Sequence, residues 1–194
     1  MGEAVEAAGG RVDKFIGDGI MALFGVDAPP TAAARGSLAA ARGMALGLRA
    51  LNRELAVELD EPLRMGVGVH LGQAILGEMG HGHAVSLTAI GDTVNVASRL
   101  EALTKELGCQ LVVSAGVVEQ AGLALDGERR REVDVRGRIG RLVVYLVEDA
   151  ACLPELERAP GGKARRRWRQ ALPRLGVAGR RQRPRPQPPP PGRA

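Results

Sequence analysis

Asp18 stands between two glycines, in Gly17-Asp18-Gly19, with a short apolar run on either side. A Gly-Asp-Gly step between two such runs, Arg11–Ile16 and Ile20–Phe24, is a hairpin signal. A carboxylate in a tight turn is rigidly held. Mg²⁺ takes oxygen ligands, usually one or two carboxylates together with substrate phosphates. Asp18 suits that role; it equally suits a turn position that favours Asp and binds nothing. A second constellation is Gly91-Asp92-Thr93-Val94-Asn95-Val96-Ala97-Ser98-Arg99-Leu100-Glu101. Asn95 and Arg99 are four apart on a predicted helix, so they share a face. That face is opposite the Val96/Leu100 stripe. An amide and a guanidinium displayed together can hydrogen-bond a ribose and neutralise a pentavalent phosphoryl group. The plain alternative is a solvated polar face.

The elements that must hold these residues follow from periodicity. Glu3–Ala8 reads as the end of a helix stopped by Gly9-Gly10. After Pro29-Pro30, Thr31 is placed to cap a long helix. Its apolar face comprises Ala34, Leu38, Ala41, Ala45, Leu48, Leu51, Leu55 and Leu59, and Pro62 marks its end. Arg64–Leu76 alternates and predicts a long strand or bent hairpin arm. Gly77–His83 reads as a turn and Val85–Ile90 as a strand. Asp92 is placed to cap a helix from Thr93 to about Leu107, with Val96, Leu100, Leu103 and Leu107 inward. Gln110–Ser114 is a strand, and Arg131–Val135 with Leu142–Val147 forms a last hairpin. Helices segregate from mostly antiparallel strands, which predicts an α+β sandwich.

Composition bounds the class. The 194 residues are 45% hydrophobic, ordinary for a globular chain, but only 2% aromatic. The core must therefore rest on Val, Leu, Ile, Ala and Met. No apolar run approaches a membrane span, and Met1–Gly10 lacks the pattern of a signal peptide. Cys109 and Cys152 make neither a disulfide framework nor a metal site and read as ordinary thiols of a reducing cytoplasm. The net charge of +5 is unevenly spread. Residues 1–150 hold 15 basic and 20 acidic side chains, and residues 151–194 hold 12 and 2. The basic character belongs to the tail and argues for no specific nucleic acid partner of the folded part. The reading is thus a folded domain over 1–149 and an Arg/Pro-rich tail over 150–194, expected to be disordered. Arg180–Ala194 has the composition of a slipped GC-rich reading frame; the functional alternative is a polybasic arm for anionic lipid or nucleic acid. His81-Gly82-His83 reads as solvated, and Trp168 in the tail carries no signal.

Taken together, Lys14-x-x-Gly17-Asp18 followed by Ala22-x-Phe24-Gly25, and then Gly91-Asp92-Thr93-Val94-Asn95-x-Ala97-x-Arg99-Leu100-Glu101, resemble class III adenylate/guanylate cyclases. Arg64-Met65-Gly66-Val67-Gly68-Val69-His70-Leu71-Gly72 is similar to that family's intervening strand. Val135-Arg136-Gly137-Arg138 with Val144-Tyr145-Leu146 is similar to its closing hairpin. The resemblance covers about residues 1–147. It implies a ferredoxin-like antiparallel sheet sandwich with helices packed on the sheet. It also implies an intracellular signalling enzyme that converts ATP to 3′,5′-cyclic AMP and pyrophosphate. By the same resemblance Asp18 binds one of two Mg²⁺ or Mn²⁺ ions and Lys14 reads the purine. Thr88, seven residues before Asn95, is its partner in base recognition. Asn95 positions the ribose, Arg99 stabilises the transition state, and Arg138 holds the triphosphate. The site is expected between the two chains of a homodimer, with Asp18 of one facing Lys14, Thr88, Asn95 and Arg99 of the other.

Base preference follows from hydrogen-bond inventory. Adenine offers an acceptor at N1 and a donor amine at C6. An ammonium only donates, and a hydroxyl can accept. Guanine reverses both edges, so Lys14 and Thr88 favour ATP. A threonine rather than an aspartate at 88 is similar to the subgroup in which bicarbonate-responsive members are common.

One departure matters. The family pattern begins with a strand carrying a second metal aspartate, and no such segment precedes Lys14. The expectation is a chain that cyclises ATP weakly or not at all by itself. Cyclic AMP formed from Mn²⁺ and ATP at an ordinary enzyme rate, roughly 1–10³ s⁻¹, would contradict it. The competing reading is a non-catalytic regulatory or dimerisation module of the same fold.

Overall fold

The computed structural model describes residues 1–81, 84–135 and 140–156. Arg138, His83 and the tail from position 157 lie outside the described residues, so the readings placed on them are not taken further in structural terms.

The helix α1 (Gly2–Ala7) leads into a hairpin of β1 (Arg11–Ile16) and β2 (Gly19–Leu23). Next come the long helix α2 (Pro30–Glu54) and β3 (Val67–Val69). A second hairpin follows, β4 (Ile75–His81) with β5 (Ala84–Ile90). Then α3 (Asp92–Glu106), β6 (Leu111–Ser114), α4 (Ala115–Ala121), β7 (Arg130–Val133) and β8 (Leu142–Val147) complete the order. The strands form one four-stranded sheet, β3-β6-β8-β7, and the two separate hairpins. The α+β class holds. Within the main sheet, however, β3 and β6 are parallel. A chain that crosses over through a helix, here α3, returns in the same direction.

The core explains the layers. Leu111-Val112-Val113 of β6 is fully buried along its length, as a strand covered on both faces must be. Successive side chains point to opposite faces. Leu111 and Val113 join Ala34, Leu38, Ala41 and Ala45 of α2 and Val117, Val118 and Ala121 of α4. Val112 joins Val96 and Leu100 of α3 with Val144 of β8 on the other side. Small alanines on α2 let that helix lie close to the sheet, in keeping with the scarcity of aromatic side chains. Packing continues past position 149: Ala150, Ala151 and Leu153 are buried in the α2 cluster. Asp149 caps this end by accepting from the Ala151 N–H at 2.9 Å and pairing with Arg49.

Several local expectations are corrected. Thr31 does not cap α2: Pro29 occupies the cap position, Pro30 opens the helix, and the Thr31 hydroxyl donates to Gln120. The helix ends at Glu54, and Leu51 and Leu59 are partly exposed instead of core. Asn52 holds the exit by exchanging hydrogen bonds of 2.8 and 2.9 Å with the Leu63 backbone. Asp92 is not the cap of α3 either. Gly91 is, at φ 145°, a conformation open to glycine alone. The expected turn over 77–81 is strand, because β4 pairs with β5 as far as His81↔Ala84. The helix α4 was not expected at all.

The long strand or bent hairpin arm predicted over Arg64–Leu76 is broken: Val67–Val69 forms β3, and Ile75-Leu76 already belongs to β4. Its glycines have a different purpose. A Cβ on Gly68 would overlap the backbone of Ala97 and Glu101, and one on Gly66 would overlap the Thr104 hydroxyl. The Gly-x-Gly spacing thus lets α3 rest directly on β3. Gly68→Ala is expected to destabilise the chain by about 1–3 kcal/mol, the usual range for overpacking. Urea unfolding checks this; a midpoint unchanged from the parent chain would show that α3 can withdraw at no cost.

Candidate active site

The β1–β2 hairpin carries two of the expected residues. Asp18 is in the turn between the strands and is exposed. Its carboxylate is reachable, as a metal ligand must be. Lys14 lies on β1, which runs against β5. There the Lys14 ammonium donates to the Thr88 hydroxyl at 2.6 Å, although the two are 74 positions apart. Thr88 is buried, 4% exposed, while the Lys14 side chain remains 43% exposed. The pair expected to read one purine is therefore in direct contact within one chain.

Asp13 was missed. Its Oδ2 accepts from the Thr88 hydroxyl at 2.8 Å and stands 3.2 Å from the Lys14 ammonium. The Asp13 side chain is 1% exposed, and its Oδ1 is buried without a hydrogen-bond partner. Strand alternation hides this residue, since neighbours in a regular strand face opposite ways. The signal that could have exposed it is a carboxylate next to Lys14 in a strand that also holds Val12, Phe15 and Ile16.

Asn95 and Arg99 sit on α3 as the spacing predicts. Val96 and Leu100 are 0% exposed and anchor the helix to the sheet. Asn95 faces solvent and Arg99 is half-buried. The Arg99 Nη1 is buried and makes no hydrogen bond. A guanidinium nitrogen left so costs free energy unless something else engages it. The helix start is tied down by the Thr93 hydroxyl, which donates to the Gln73 carbonyl. On the motif strand, His70 Nδ1 lies 3.0 Å from the Ser114 hydroxyl. This links the residue after β3 to the end of β6.

A divalent cation fits the donor chemistry of the hairpin tip only through Asp18. Asp13 is the other carboxylate of the hairpin, but it is sunk and occupied by Lys14 and Thr88. Among the described residues no group of three or more His, Cys, Asp or Glu side chains is gathered. A single exposed carboxylate suits Mg²⁺ or Mn²⁺ that takes its remaining ligands from phosphates and water. Cys109 is unrelated to this site. Burial pushes its thiol up, with the charge of Glu148 adding to the effect, so it should react sluggishly at neutral pH.

Residues 5–149 match the profile of the family described as "Adenylate and Guanylate cyclase catalytic domain". The chain belongs to that family. It is similar to an adenylate cyclase of Anabaena cylindrica, 36% identical over 155 residues, which cover 76% of this chain and 30% of that one. It is also similar to adenylate cyclase 1 of Rhizobium meliloti, 31% identical over 145 residues, covering 75% of this chain and 22% of the relative. The chain thus spans less than a third of these relatives. Among solved structures, the guanylyl cyclase Cya2 superposes with a TM-score of 0.67 at 27% identity, over 81% of this chain and 79% of that one. A bacterial light-regulated adenylyl cyclase gives a TM-score of 0.58 at 28% identity, over 79% and 43%. Proteins of similar fold include both a guanylyl and an adenylyl cyclase, so the fold leaves the choice of purine to the side chains. No helix among the described residues is long and apolar enough to cross a membrane.

Proposed function

We propose that this cyclase domain converts ATP to 3′,5′-cyclic AMP and pyrophosphate. The observation that supports it is the 2.6 Å contact between Lys14 and Thr88. Of the ammonium's three donors, one goes to Thr88 and one to Asp13. The third is free for an acceptor such as adenine N1. The side chain's partial exposure leaves room for that approach.

The rest of the chemistry needs little beyond positioning and charge. Asn95 orients the ribose so that its 3′-oxygen lies in line with the α-phosphorus. Arg99 offers its guanidinium to the oxygens that gain charge as the bond to pyrophosphate breaks. Arg138 is proposed to hold the triphosphate. Asp18 would hold Mg²⁺ or Mn²⁺, which neutralises phosphate charge when bound. The site is proposed to form between two copies of the chain, with Asp18 supplied by one and Lys14, Thr88, Asn95 and Arg99 by the other. The region up to position 149, with the Ala150–Leu153 segment that packs on α2, is proposed as the catalytic unit and the Arg/Pro-rich remainder as an appendage outside the chemistry.

The test is product identity. The purified chain is given equal ATP and GTP with Mn²⁺, and the products are separated by mass spectrometry. Cyclic AMP in large excess over cyclic GMP is expected, whatever the absolute rate. Cyclic GMP in equal or greater amount sinks the reading. A mixing experiment tests the shared site. Asp18→Ala and Arg99→Ala chains are each expected to retain at most about a hundredth of parental activity, and their mixture to recover roughly a quarter of it. Half of randomly paired dimers are mixed and each holds one intact site of two. No recovery on mixing would place the whole site within one chain.

A further inference from the structure

The register of β1 against β2 slips between Val12↔Ala22 and Lys14↔Met21. Asp13 is the extra residue of a β-bulge. Bulges re-aim side chains, and here the consequence is specific. Asp13 and Lys14, neighbours that a regular strand would send to opposite faces, both reach Thr88.

A threonine hydroxyl has one proton and two lone pairs, and by rotating it can serve a donor or an acceptor. Alone, it would discriminate poorly between a purine amine and a purine carbonyl. In this chain the proton is given to Asp13 at 2.8 Å and one lone pair is taken by Lys14 at 2.6 Å. One lone pair remains. Toward any further group Thr88 can only accept.

We propose that Asp13 is a specificity-determining positioning residue: by holding the Thr88 proton it turns an ambivalent hydroxyl into a fixed acceptor that takes a 6-aminopurine and rejects a 6-oxopurine. The inference rests on the reading that Lys14 and Thr88 face the base. Burial of Asp13 supports it. A carboxylate whose side chain is 1% exposed and whose Oδ1 lacks a partner is costly as a mere hairpin tie, because an apolar residue would close β1 onto β5 without that cost. The arrangement also keeps Lys14 directed, since the ammonium is held by two groups and retains one donor for the base.

The experiment measures affinity, so it does not depend on turnover. A fluorescent ATP analogue bound to the full 194-residue chain is displaced by ATP and, separately, by GTP. The unaltered chain is expected to prefer ATP. In Asp13→Ala the ratio of GTP to ATP dissociation constants is expected to fall at least about tenfold, the value of one matched against one mismatched hydrogen bond. It should fall largely because GTP binds better once the hydroxyl can turn its proton outward. Asp13→Asn keeps an oxygen that can accept from Thr88 and is expected to retain most of the preference. Circular dichroism checks each fold. Should the alanine chain not fold, Asp13→Ser, whose shorter side chain falls short of Thr88, is expected to show the same loss of preference. Parallel weakening of both nucleotides with an unchanged ratio would make Asp13 a structural residue and overturn the proposal. A drop in Asp13→Asn equal to that in Asp13→Ala would overturn it too. An unaltered chain with no preference for ATP would bring down the base-reading assignment itself, and this inference with it.

Discussion

Replacing Arg99 by alanine is expected to lower the rate of cyclic AMP formation by about 10²–10³-fold, with ATP affinity changed far less. The magnitude is that of removing one preorganised donor from a developing anion. Its concentration in the rate follows from timing: charge on the α-phosphoryl oxygens grows as the reaction proceeds, so a donor aimed at them binds the transition state better than the substrate. The structure adds a second expectation. Nη1 is buried and unpartnered, so its loss removes no hydrogen bond from the folded chain. The melting temperature should therefore fall little, if at all, while the rate collapses. Arg99→Lys should not restore the rate, since an ammonium is a point charge and cannot present a planar fork of donors. Single-turnover conversion of labelled ATP, compared with the unaltered chain under the same Mn²⁺, checks the rate. A rate within tenfold of the parent would remove Arg99 from the chemistry.

Leu100→Ala is expected to cost about 2–5 kcal/mol of stability, the range for emptying a fully buried leucine site. Leu100 is 0% exposed and lies between Val96, Val112 and Val144. It is also the residue after Arg99, about 100° round α3 from it. The same substitution should therefore loosen the helix that presents Asn95 and Arg99 and reduce activity even at temperatures where the chain stays folded. Urea denaturation gives the first quantity. The activity of the folded fraction gives the second. A loss under about 1 kcal/mol would mean that the α3 side of the sheet collapses around the gap and is less tightly packed than its burial implies.

Much of the fold was legible because periodicity reports burial. The α3 stripe of Val96 and Leu100, the α2 stripe from Ala34 to Leu48, and the closing hairpin each follow from it. What failed were the places where the side chain does something periodicity does not measure. Thr31 and Asp92 are good cap residues, yet Pro29 and Gly91 took those positions, because backbone conformation at the entry to each helix outweighed a single side-chain bond. The glycines at 66 and 68 looked like strand residues in an alternating run. Their meaning lay in the helix laid over them, which is a contact with residues some thirty positions away. Of the site, Asp18, Asn95 and Arg99 could be named from residue type and spacing together with the family likeness. Their exposure, and the orphaned nitrogen on Arg99, could not.

The chain by its order of residues alone determined which chemistry is available: a turn carboxylate, a lysine, a threonine, and an amide with a guanidinium one helical turn apart. These are local facts, written in spacing and in the donors and acceptors each side chain owns. Tertiary structure alone decided that Lys14 and Thr88 touch, and that a bulge brings Asp13 to the same oxygen. Hydrogen bonds across 74 and 75 positions depend on how two hairpins pack and on a one-residue slip in register, and neither quantity has a local signature along the chain.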